Sequence, residues 1–561
     1  MYDEPTIFER KDNTMPPREA TKLNLDALIA RQDMAGGDQK SIPQDFGFKH
    51  SELLRQGGLT YAILKKPDFQ RSTSFWGPEK VLDMVIAYIE NQTVPAIIVW
   101  RSPQSDLFVI DGAHRLSSII AWINDDYGDG EISKAHYGEP QNPSAAQKAR
   151  DLIKLHVGSY QDLLKALNDP NASAKHQENA KKVVFASLPS QELKKVNKAD
   201  LAEKSFLKIN EQGVILSETE KWLINSRFCP NAIAARAISL KGTGGAYWER
   251  FNSEENKRKI SELGASVHKL LFTPELDIGE LKTADLPIAG SFIASNALTL
   301  IFQFVNFAND IPTKPPANRA EAEKIVPADA DGTSTIEFFK KTKRVATLLS
   351  NLRTTNYSNS VDLHPFVYFY SRQGNHQPTM FLAAAYWLRE LDKKKKVTEL
   401  AKNGLRGRLE DFLLDNAFLI AAISRRARGE EKAVRKLKTY LDFLTEQLSH
   451  GVSKDQLLTE VGKQFRVSTV PEPDEYDEPI TPGSRIPIHV KSAMFIDQEL
   501  ENAQKCEICN ARIPARGLSR DHRIDKKHGG AGTKENAAPT HHVCNSAKDK
   551  IKKANAKGNI K

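Results

Sequence analysis

The sequence predicts a multidomain α+β protein with an α/β N-terminal domain, a mainly α-helical middle and a small C-terminal domain that binds metal. Short apolar strands alternate with amphipathic helices near the N-terminus, and helical apolar spacing dominates the middle of the chain. Three of the 4 cysteines lie close together near the C-terminus. A chain of 561 residues is long enough for roughly two to four domains, each with a core.

Composition limits the class of protein and its partners. Hydrophobic residues make up 40% and charged residues 27% of the chain, which is typical of a soluble globular protein. The net charge of +9 favours a polyanion partner. Few cysteines and no visible signal peptide predict a cytoplasmic protein. Polar residues interrupt the apolar run 291–308, which predicts a buried core helix and no membrane partner.

The domain bounds follow from shifts in composition along the chain. The first segment is polar with scattered Pro and Gly, and a later segment alternates prolines with acidic residues, as in a semi-rigid linker that separates two domains. The expected segments are 1–45, disordered or loosely attached; 46–235, the α/β domain; 236–466, the helical domain; 467–487, the linker; and 488–561, the C-terminal domain.

A turn in the α/β domain has the features of an anion site. A predicted strand, Leu107–Ile110, runs into Asp111-Gly112, and a helix follows. Glycine permits the tight turn, and the first amides of a helix attract anions. A capped turn with a surface arginine is the alternative. The residues expected to bind a phosphate or nucleotide are Gln70, Arg71, Asp111, Gly112, His114 and Arg115.

Two short motifs near the C-terminus predict a zinc site. Cys506 and Cys509 have the spacing of a zinc knuckle, and His541 and Cys544 repeat that spacing. Together they supply a full tetrahedral set of sulfur and nitrogen ligands. His542 is the second candidate for the histidine ligand, and a set of incidental buried thiols is the alternative.

Asp521-His522, between these motifs, indicates hydrolytic chemistry. A closed zinc site has no open position for water, so catalysis needs other groups. Asp521 and Asn545 offer the oxygen ligands that Mg²⁺ or Mn²⁺ prefers, and His522 can deprotonate water for attack on a phosphodiester. The alternative is a zinc knuckle that only binds nucleic acid.

These C-terminal motifs, with Gly529-Gly530 and Asn536 between them, resemble the HNH endonucleases that have a zinc-stabilised ββα-metal fold. The resemblance implies that His522 is the general base, that Asp521 and Asn545 hold the catalytic metal, and that Asn536 braces the loop. The sequence departs from the family pattern in two places. One zinc ligand is His rather than Cys, and Arg523-Ile524-Asp525 lacks the usual proline after Asp-His.

Three blocks in the N-terminal half resemble the ParB/sulfiredoxin-like domain of Gmr-type and Ssp-type restriction proteins. They are Phe69-Gln70-Arg71, the run from Val109 to Leu116, and Phe206–Glu220 with its Asn, Gly and Ser-x-x-Glu. The resemblance implies a domain that binds and hydrolyses GTP or ATP, or that senses modified DNA. Many members carry two Gln where this chain has Ala113-His114.

Together these features predict a metal-dependent HNH endonuclease that cuts double-stranded DNA. The resemblance implies that the N-terminal domain gates cleavage, and that the enzyme restricts foreign DNA, modified DNA included, in anti-phage defence. A nucleotide and a second copy of the chain are further expected partners. The alternatives are a non-catalytic DNA-binding or nucleotide-sensing regulator with a structural zinc domain, and a homing-type or phage-encoded nuclease.

Overall fold

A computed structural model describes most of the chain, which divides into two compact units, Met1–Ser217 and Glu218–Lys561. Both α-helices and β-strands are present. The sequence suggested a domain boundary between residues 235 and 236, further along the chain. The described residues are 22–32, 46–67, 70, 73–74, 76–137, 140–193, 205, 209, 217–243, 247–276, 280–292, 294–312, 314–350, 360–427, 429–471 and 486–558.

The first unit is built on a mixed six-stranded sheet with the order β1-β3-β5-β4-β6-β2. β4 and β5 form an antiparallel hairpin, and β2 pairs antiparallel with β6. The β1–β3, β3–β5 and β4–β6 pairs are parallel. The strands are β1 (Arg31–Gln32), β2 (Gly47–Lys49), β3 (Leu64–Pro67), β4 (Ile97–Arg101), β5 (Leu107–Asp111) and β6 (Ser187–Glu192).

The sheet shares one apolar core with the helices of this unit, and the apolar spacing of the central helices explains why they pack on it. Val81 and Val85 of α2 and Leu116 and Ile120 of α3 are fully buried. The helices are α1 (Leu59–Ile63), α2 (Pro78–Ile89), α3 (Ala113–Asn124), α4 (Glu131–Tyr137), α5 (Pro143–His156), α6 (Tyr160–Ala166) and α7 (Ala174–Phe185).

Residues 22–32 lie in this core, so the expectation that all of 1–45 is disordered or loosely attached is wrong for that stretch. Leu23, Leu25, Leu28 and Ile29 are each no more than 1% exposed. Their apolar side chains are too few and too closely spaced to show helical or strand periodicity in the sequence. Residues 1–21 and 33–45 lie outside the described residues.

The second unit is mainly helical, and its helices surround one large apolar core. The helices are α8 (Glu218–Asn225), α9 (Pro230–Ser239), α10 (Glu254–Phe272), α11 (Ala294–Ala308), α12 (Arg319–Ile325), α13 (Thr333–Leu349), α14 (Pro365–Tyr368), α15 (Pro378–Lys393), α16 (Leu405–Asp415), α17 (Phe418–Arg425), α18 (Glu430–Ser449), α19 (Lys454–Phe465), α20 (Ile488–Asn502), α21 (His542–Ser546) and α22 (Lys548–Gly558).

The apolar run 291–308 forms α11, which packs inside this core. Ile301, Phe302, Phe304 and Val305 are at most 1% exposed. Among the residues that the structure describes, no helix has both the length and the apolar character needed to cross a membrane.

The C-terminal part of this unit is a ββα arrangement. β7 (Leu518–His522) and β8 (Ala537–His541) form an antiparallel pair in which Asp521 lies opposite Ala538, and α21 follows β8 directly. This order agrees with the fold that the sequence resemblance implied. The proline-rich acidic segment predicts that this part is separated from the helical body, but both lie in one compact unit. Residues 472–485 of the linker are outside the described ranges.

Candidate metal centre and nuclease site

Four side chains of the C-terminal ββα region converge in a buried cluster. The ligand atoms of Cys506, Cys509, His541 and Cys544 all lie within 4.8 Å of one another. The Sγ of Cys509 is 3.3 Å from Nδ1 of His541. Three thiols and one imidazole, all buried, are a donor set that suits tetrahedral zinc. The cluster is therefore a metal-binding site of the kind found in zinc-containing HNH domains.

The local fold brings the two pairs together. A tight turn holds Cys506 and Cys509, since the Cys506 amide donates to the Ala511 carbonyl at 2.9 Å and the Asn510 amide donates to the Cys506 carbonyl at 2.8 Å. His541 ends β8, and Cys544 lies on α21. The strand-to-helix junction thus supplies one pair, and the turn supplies the other.

Hydrogen bonding fixes which nitrogen of His541 faces the cluster. Nε2 lies 3.0 Å from the Arg512 carbonyl oxygen, to which only a protonated nitrogen can donate. Nδ1 is then unprotonated and able to bind metal. Burial and the positive charge of Arg406 lower the pKa of His541, which favours the neutral ring. The alternative ligand, His542, lies outside the cluster, and its amide donates to the Asp362 carboxylate at 3.3 Å.

Asp521 and His522 end β7, and Asn545 is hydrogen-bonded to the same strand. The Oδ1 of Asp521 accepts a hydrogen bond from the His522 amide at 2.7 Å. Asn545 donates its amide nitrogen to Ser519 Oγ at 3.0 Å and to the Arg520 carbonyl at 3.4 Å, which holds its side chain against β7. The His522 ring is half-buried and makes no hydrogen bond with any residue that the structure describes. The three predicted residues therefore lie on β7 or against it.

Asn536 fastens the loop that follows His522. Its Oδ1 accepts from the Ile524 amide at 2.8 Å, and its Nδ2 donates to the carbonyls of Ile524 at 3.1 Å and Ala531 at 2.8 Å. The Asn536 side chain thus closes the loop between β7 and β8. None of these three hydrogen bonds involves Asp521 or His522.

Lys548 is a further member of this site, and its role is not apparent from the sequence motifs. Its ammonium lies 2.7 Å from Asp521 Oδ2 and 2.6 Å from Asp525 Oδ1, and it donates to the His522 carbonyl. Partial burial alone would lower the pKa of Lys548, but the hydrogen bonds to both carboxylates outweigh it and raise the pKa. In the sequence, the one sign of this contact is that Asp525 stands in the region where the HNH family usually has a proline.

The predicted anion site lies at the end of β5. Gly112 adopts φ 90°, and a Cβ there would meet the Ile97 side chain at 2.5 Å, so the turn requires glycine. The Arg115 guanidinium donates to Asp111 Oδ2 at 2.9 Å, and Gln70 donates to the Ile110 carbonyl at 3.3 Å.

Of the two remaining predicted residues, the structure describes His114 but not Arg71. The His114 ring stacks on Trp76, with ring centroids 5.5 Å apart, at the start of α3. Arg71 lies outside the described residues. Gln70, Asp111, Gly112, His114 and Arg115 are thus gathered around the end of β5.

A buried ionic cluster that the sequence did not suggest supports the Gln70 loop. The Asp26 carboxylate accepts from Lys66 at 2.7 Å and from Arg31 at 2.9 Å, and Lys66 is fully buried. Burial lowers the pKa of Lys66 to about 8, although Asp26 opposes the shift. Arg31 also donates to the Gln70 carbonyl at 2.6 Å, and Asp26 accepts from the Thr73 amide at 3.0 Å. Lys66 lies 40 residues from Asp26 in the sequence, so no local spacing reveals the cluster.

Fold and site together define a metal-binding nuclease of the HNH class. Residues 506–550 match the family model described as HNH endonuclease. Residues 51–229 match the family model described as GmrSD restriction endonuclease, N-terminal domain. No curated protein and no solved structure matches the chain. The chain is a restriction-type HNH nuclease that carries a GmrSD N-terminal domain, and its substrate is DNA.

Proposed function

We propose that the chain is a Mg²⁺- or Mn²⁺-dependent DNA endonuclease with its active site at the end of β7. The observation that carries this proposal is the placement of Asp521, His522 and Asn545 on or against β7, with the His522 ring not engaged by neighbouring residues that the structure describes. Asp521 and Asn545 would hold the catalytic ion through their side-chain oxygens. The Asn545 nitrogen is already bonded to β7, which leaves the oxygen for that purpose.

In this mechanism His522 acts as the general base. Its imidazole takes a proton from the attacking water, and the carboxylate of Asp521 and the loop closed by Asn536 keep the reacting groups in place. When bound, the divalent cation supplies electrostatic stabilisation of the negative charge on the phosphate and the leaving oxygen. Zinc at the Cys506 cluster would have a structural role, because its ligand set is complete without water.

The ββα region that carries the proposed active site has several exposed basic residues, which suit binding of double-stranded DNA. Phosphate contacts by lysine and arginine supply most of the sequence-independent affinity for DNA. Each of these residues is solvent-exposed on the C-terminal ββα region: Arg520, Lys526, Lys527, Lys534 and Lys552.

For the N-terminal unit we propose a ParB/sulfiredoxin-like fold with a nucleotide site at the end of β5. The main-chain amides at the start of α3 and the Arg115 guanidinium would bind the phosphates of GTP or ATP. A phosphate there would replace Asp111 as the partner of Arg115. We further propose that this site hydrolyses nucleotide or senses modified DNA, and so gates cleavage in anti-phage defence. Assembly of chain copies belongs to the same hypothesis.

Plasmid cleavage in Mg²⁺ or Mn²⁺ tests the nuclease proposal. We expect His522→Ala to lower the cleavage rate by about 100-fold or more, because it removes the general base. His450→Ala, at an exposed histidine of the helical body, is the matched control and should cut at the wild-type rate. Both proteins should carry the same zinc content.

Two results would overturn the proposal. One is equal cleavage by wild type and His522→Ala. The other is no cleavage by folded, metal-loaded wild type on modified or unmodified plasmid, with or without GTP or ATP. The second result would favour a non-catalytic DNA-binding or nucleotide-sensing regulator.

A further inference from the structure

The ammonium of Lys548 occupies a cup formed by two carboxylates in the proposed active site. It lies 2.7 Å from Asp521 Oδ2 and 2.6 Å from Asp525 Oδ1, and its side chain is only 11% exposed. The His522 carbonyl accepts a third hydrogen bond from the same ammonium. Charge-assisted contacts of this kind are the stronger class of hydrogen bond. Lys548 is therefore held in place rather than free in solvent.

One carboxylate oxygen of Asp521 cannot bind both the Lys548 ammonium and a divalent cation. Asp521 Oδ1 already accepts the His522 amide, and Oδ2 accepts the ammonium. A cation on Oδ2 would meet a positive charge at contact distance, and such like charges repel strongly where water is partly excluded. A cation that binds Asp521 through Oδ2 must therefore displace the ammonium from this oxygen.

When DNA is bound, a phosphate group can become the new partner of the displaced ammonium. Lys548 begins α22, and Asn545 lies three residues before it, so both residues border the position of the scissile phosphate in the proposed mechanism. A phosphate oxygen could take the place of Asp521 as the partner of the ammonium. Asp525 can keep its own contact with Lys548 meanwhile.

We propose that Lys548 is an internal competitor for the catalytic cation, and that the DNA phosphate relieves this competition. Without DNA, the ammonium closes the Asp521–Asp525 cup and weakens cation binding. With DNA, the ammonium passes to a phosphate, so cation and DNA bind cooperatively. The inference rests on the proposed function, since it requires Asp521 to be a ligand of the cation.

The test measures Mn²⁺ affinity calorimetrically in the zinc-loaded full chain, on a His522→Ala background that does not cut DNA. We expect Lys548→Met to bind Mn²⁺ about tenfold or more tightly without DNA, because binding no longer breaks a charged hydrogen bond. Lys550→Met removes a charge from an exposed position of the same helix and should leave the affinity unchanged. Added duplex oligonucleotide should tighten Mn²⁺ binding in the parent protein and have a smaller effect in Lys548→Met.

Equal or weaker Mn²⁺ binding by Lys548→Met than by Lys550→Met would overturn the inference, provided that zinc content is retained. If Lys548→Met loses zinc or unfolds, Lys548→Gln keeps a polar contact without the charge and is judged by the same criterion. Asp521→Asn separates the two proposals. If it binds Mn²⁺ as well as the parent, the proposed cation ligand is wrong. If it abolishes binding while Lys548→Met changes nothing, only the present inference fails.

Discussion

His541 connects the metal cluster to the helical body through its two ring nitrogens. Nδ1 faces Cys509 at 3.3 Å, and Nε2 donates to the Arg512 carbonyl at 3.0 Å. The amide of Arg512 in turn donates to Glu410 Oε2 at 2.8 Å. Such outer contacts orient metal ligands and select the tautomer that binds. The fourth ligand is thus fixed by residues that lie outside the zinc motif.

Loss of one thiol should abolish the metal site. We expect Cys544→Ser to lose the bound zinc and to lower the melting temperature of the second unit, because a structural zinc site contributes to folding directly. Metal content by elemental analysis and thermal unfolding are the measurements. Cys229→Ala, at a buried thiol outside the cluster, should keep its zinc. A zinc-loaded Cys544→Ser protein with unchanged melting would contradict the ligand set.

The sequence predicted these individual residues where the information is local. Cys-x2-Cys, His-x2-Cys and Asp-His can be read directly, and the structure brings their members together. Lys548 and the Asp26–Lys66 pair could not be found in this way. A lysine near the C-terminus is usually solvated, and only its contacts with Asp521 and Asp525 distinguish Lys548 from its neighbours.

Helix α16 packs against the turn that holds Cys506 and Cys509. Arg406 and Glu410 make a fully buried ion pair at 2.9 Å, and Arg406 also donates to the carbonyls of Val361 at 2.6 Å and Asp362 at 2.8 Å. Glu410 accepts the Arg512 amide, and the Gly407 amide donates to the Cys509 carbonyl at 3.1 Å. Because both charges have hydrogen-bond partners, the pair can be buried without leaving an unpaired charge.

Close approach at Gly407 predicts a sensitive position. A Cβ at this residue would lie 2.6 Å from the Asn510 carbonyl oxygen, so Gly407→Ala should push the cysteine turn away from α16. We expect the free energy of unfolding to fall by about 1–3 kcal/mol and zinc to be lost faster to a chelator. Denaturant titration and zinc release measure both effects.

Gly532→Ala is the control for this substitution. Its Cβ would meet nothing within 4 Å, and it also lies in the C-terminal ββα region. If Gly407→Ala matched Gly532→Ala in stability and zinc release, the contact between α16 and the cysteine turn would not be a tight one.

At the level of elements, the sequence predicted the strand Leu107–Ile110, which is part of β5, and the mainly helical middle of the chain, since apolar periodicity is a local property. It did not predict how elements are paired. The edge strands β1 and β2 are too short to show a pattern. The contact between α16 and the cysteine turn joins residues about a hundred positions apart in sequence, as in the Arg512–Glu410 bond.

At the scale of the whole molecule, two units carry two kinds of site. The N-terminal unit has the anion-type turn at Gly112, and the second unit has the metal cluster and the Asp-His strand. A restriction nuclease needs to limit cutting to its proper targets, and the proposed nucleotide site offers a means of doing so.

Arg115 tests the proposed gating. We expect Arg115→Ala to lose any effect of GTP or ATP on plasmid cleavage, because its guanidinium is the main cationic donor at the proposed phosphate site. Arg55→Ala, which removes an exposed arginine of the same unit, should respond to nucleotide like the wild type. The measurement is the ratio of cleavage rates with and without nucleotide, on modified and unmodified plasmid. An unchanged ratio in Arg115→Ala would count against gating through this site.

The domain bounds stay predictions, but the presence of an α/β region, a helical region and a small metal-binding region was predictable from strand and helix spacing and from the cysteine motifs. The packing of the metal region on the helical body was not, because a proline-rich acidic linker predicts separation and carries no information about docking surfaces. The burial of Leu23 to Ile29 was missed for a similar reason, since their burial depends on β3 and α3, which lie later in the chain.

The order of the six-stranded sheet has a consequence for solubility. Within the described residues, its two edges are its shortest strands, β1 with two residues and β2 with three. A short edge offers few unpaired N–H and C=O groups to a strand from another molecule, and charged residues on the edge disfavour such pairing further. β1 carries Arg31, and β2 ends in the exposed Lys49. The longer apolar strands β4 and β5, which are the most prone to aggregate, are thereby shielded at the centre of the sheet.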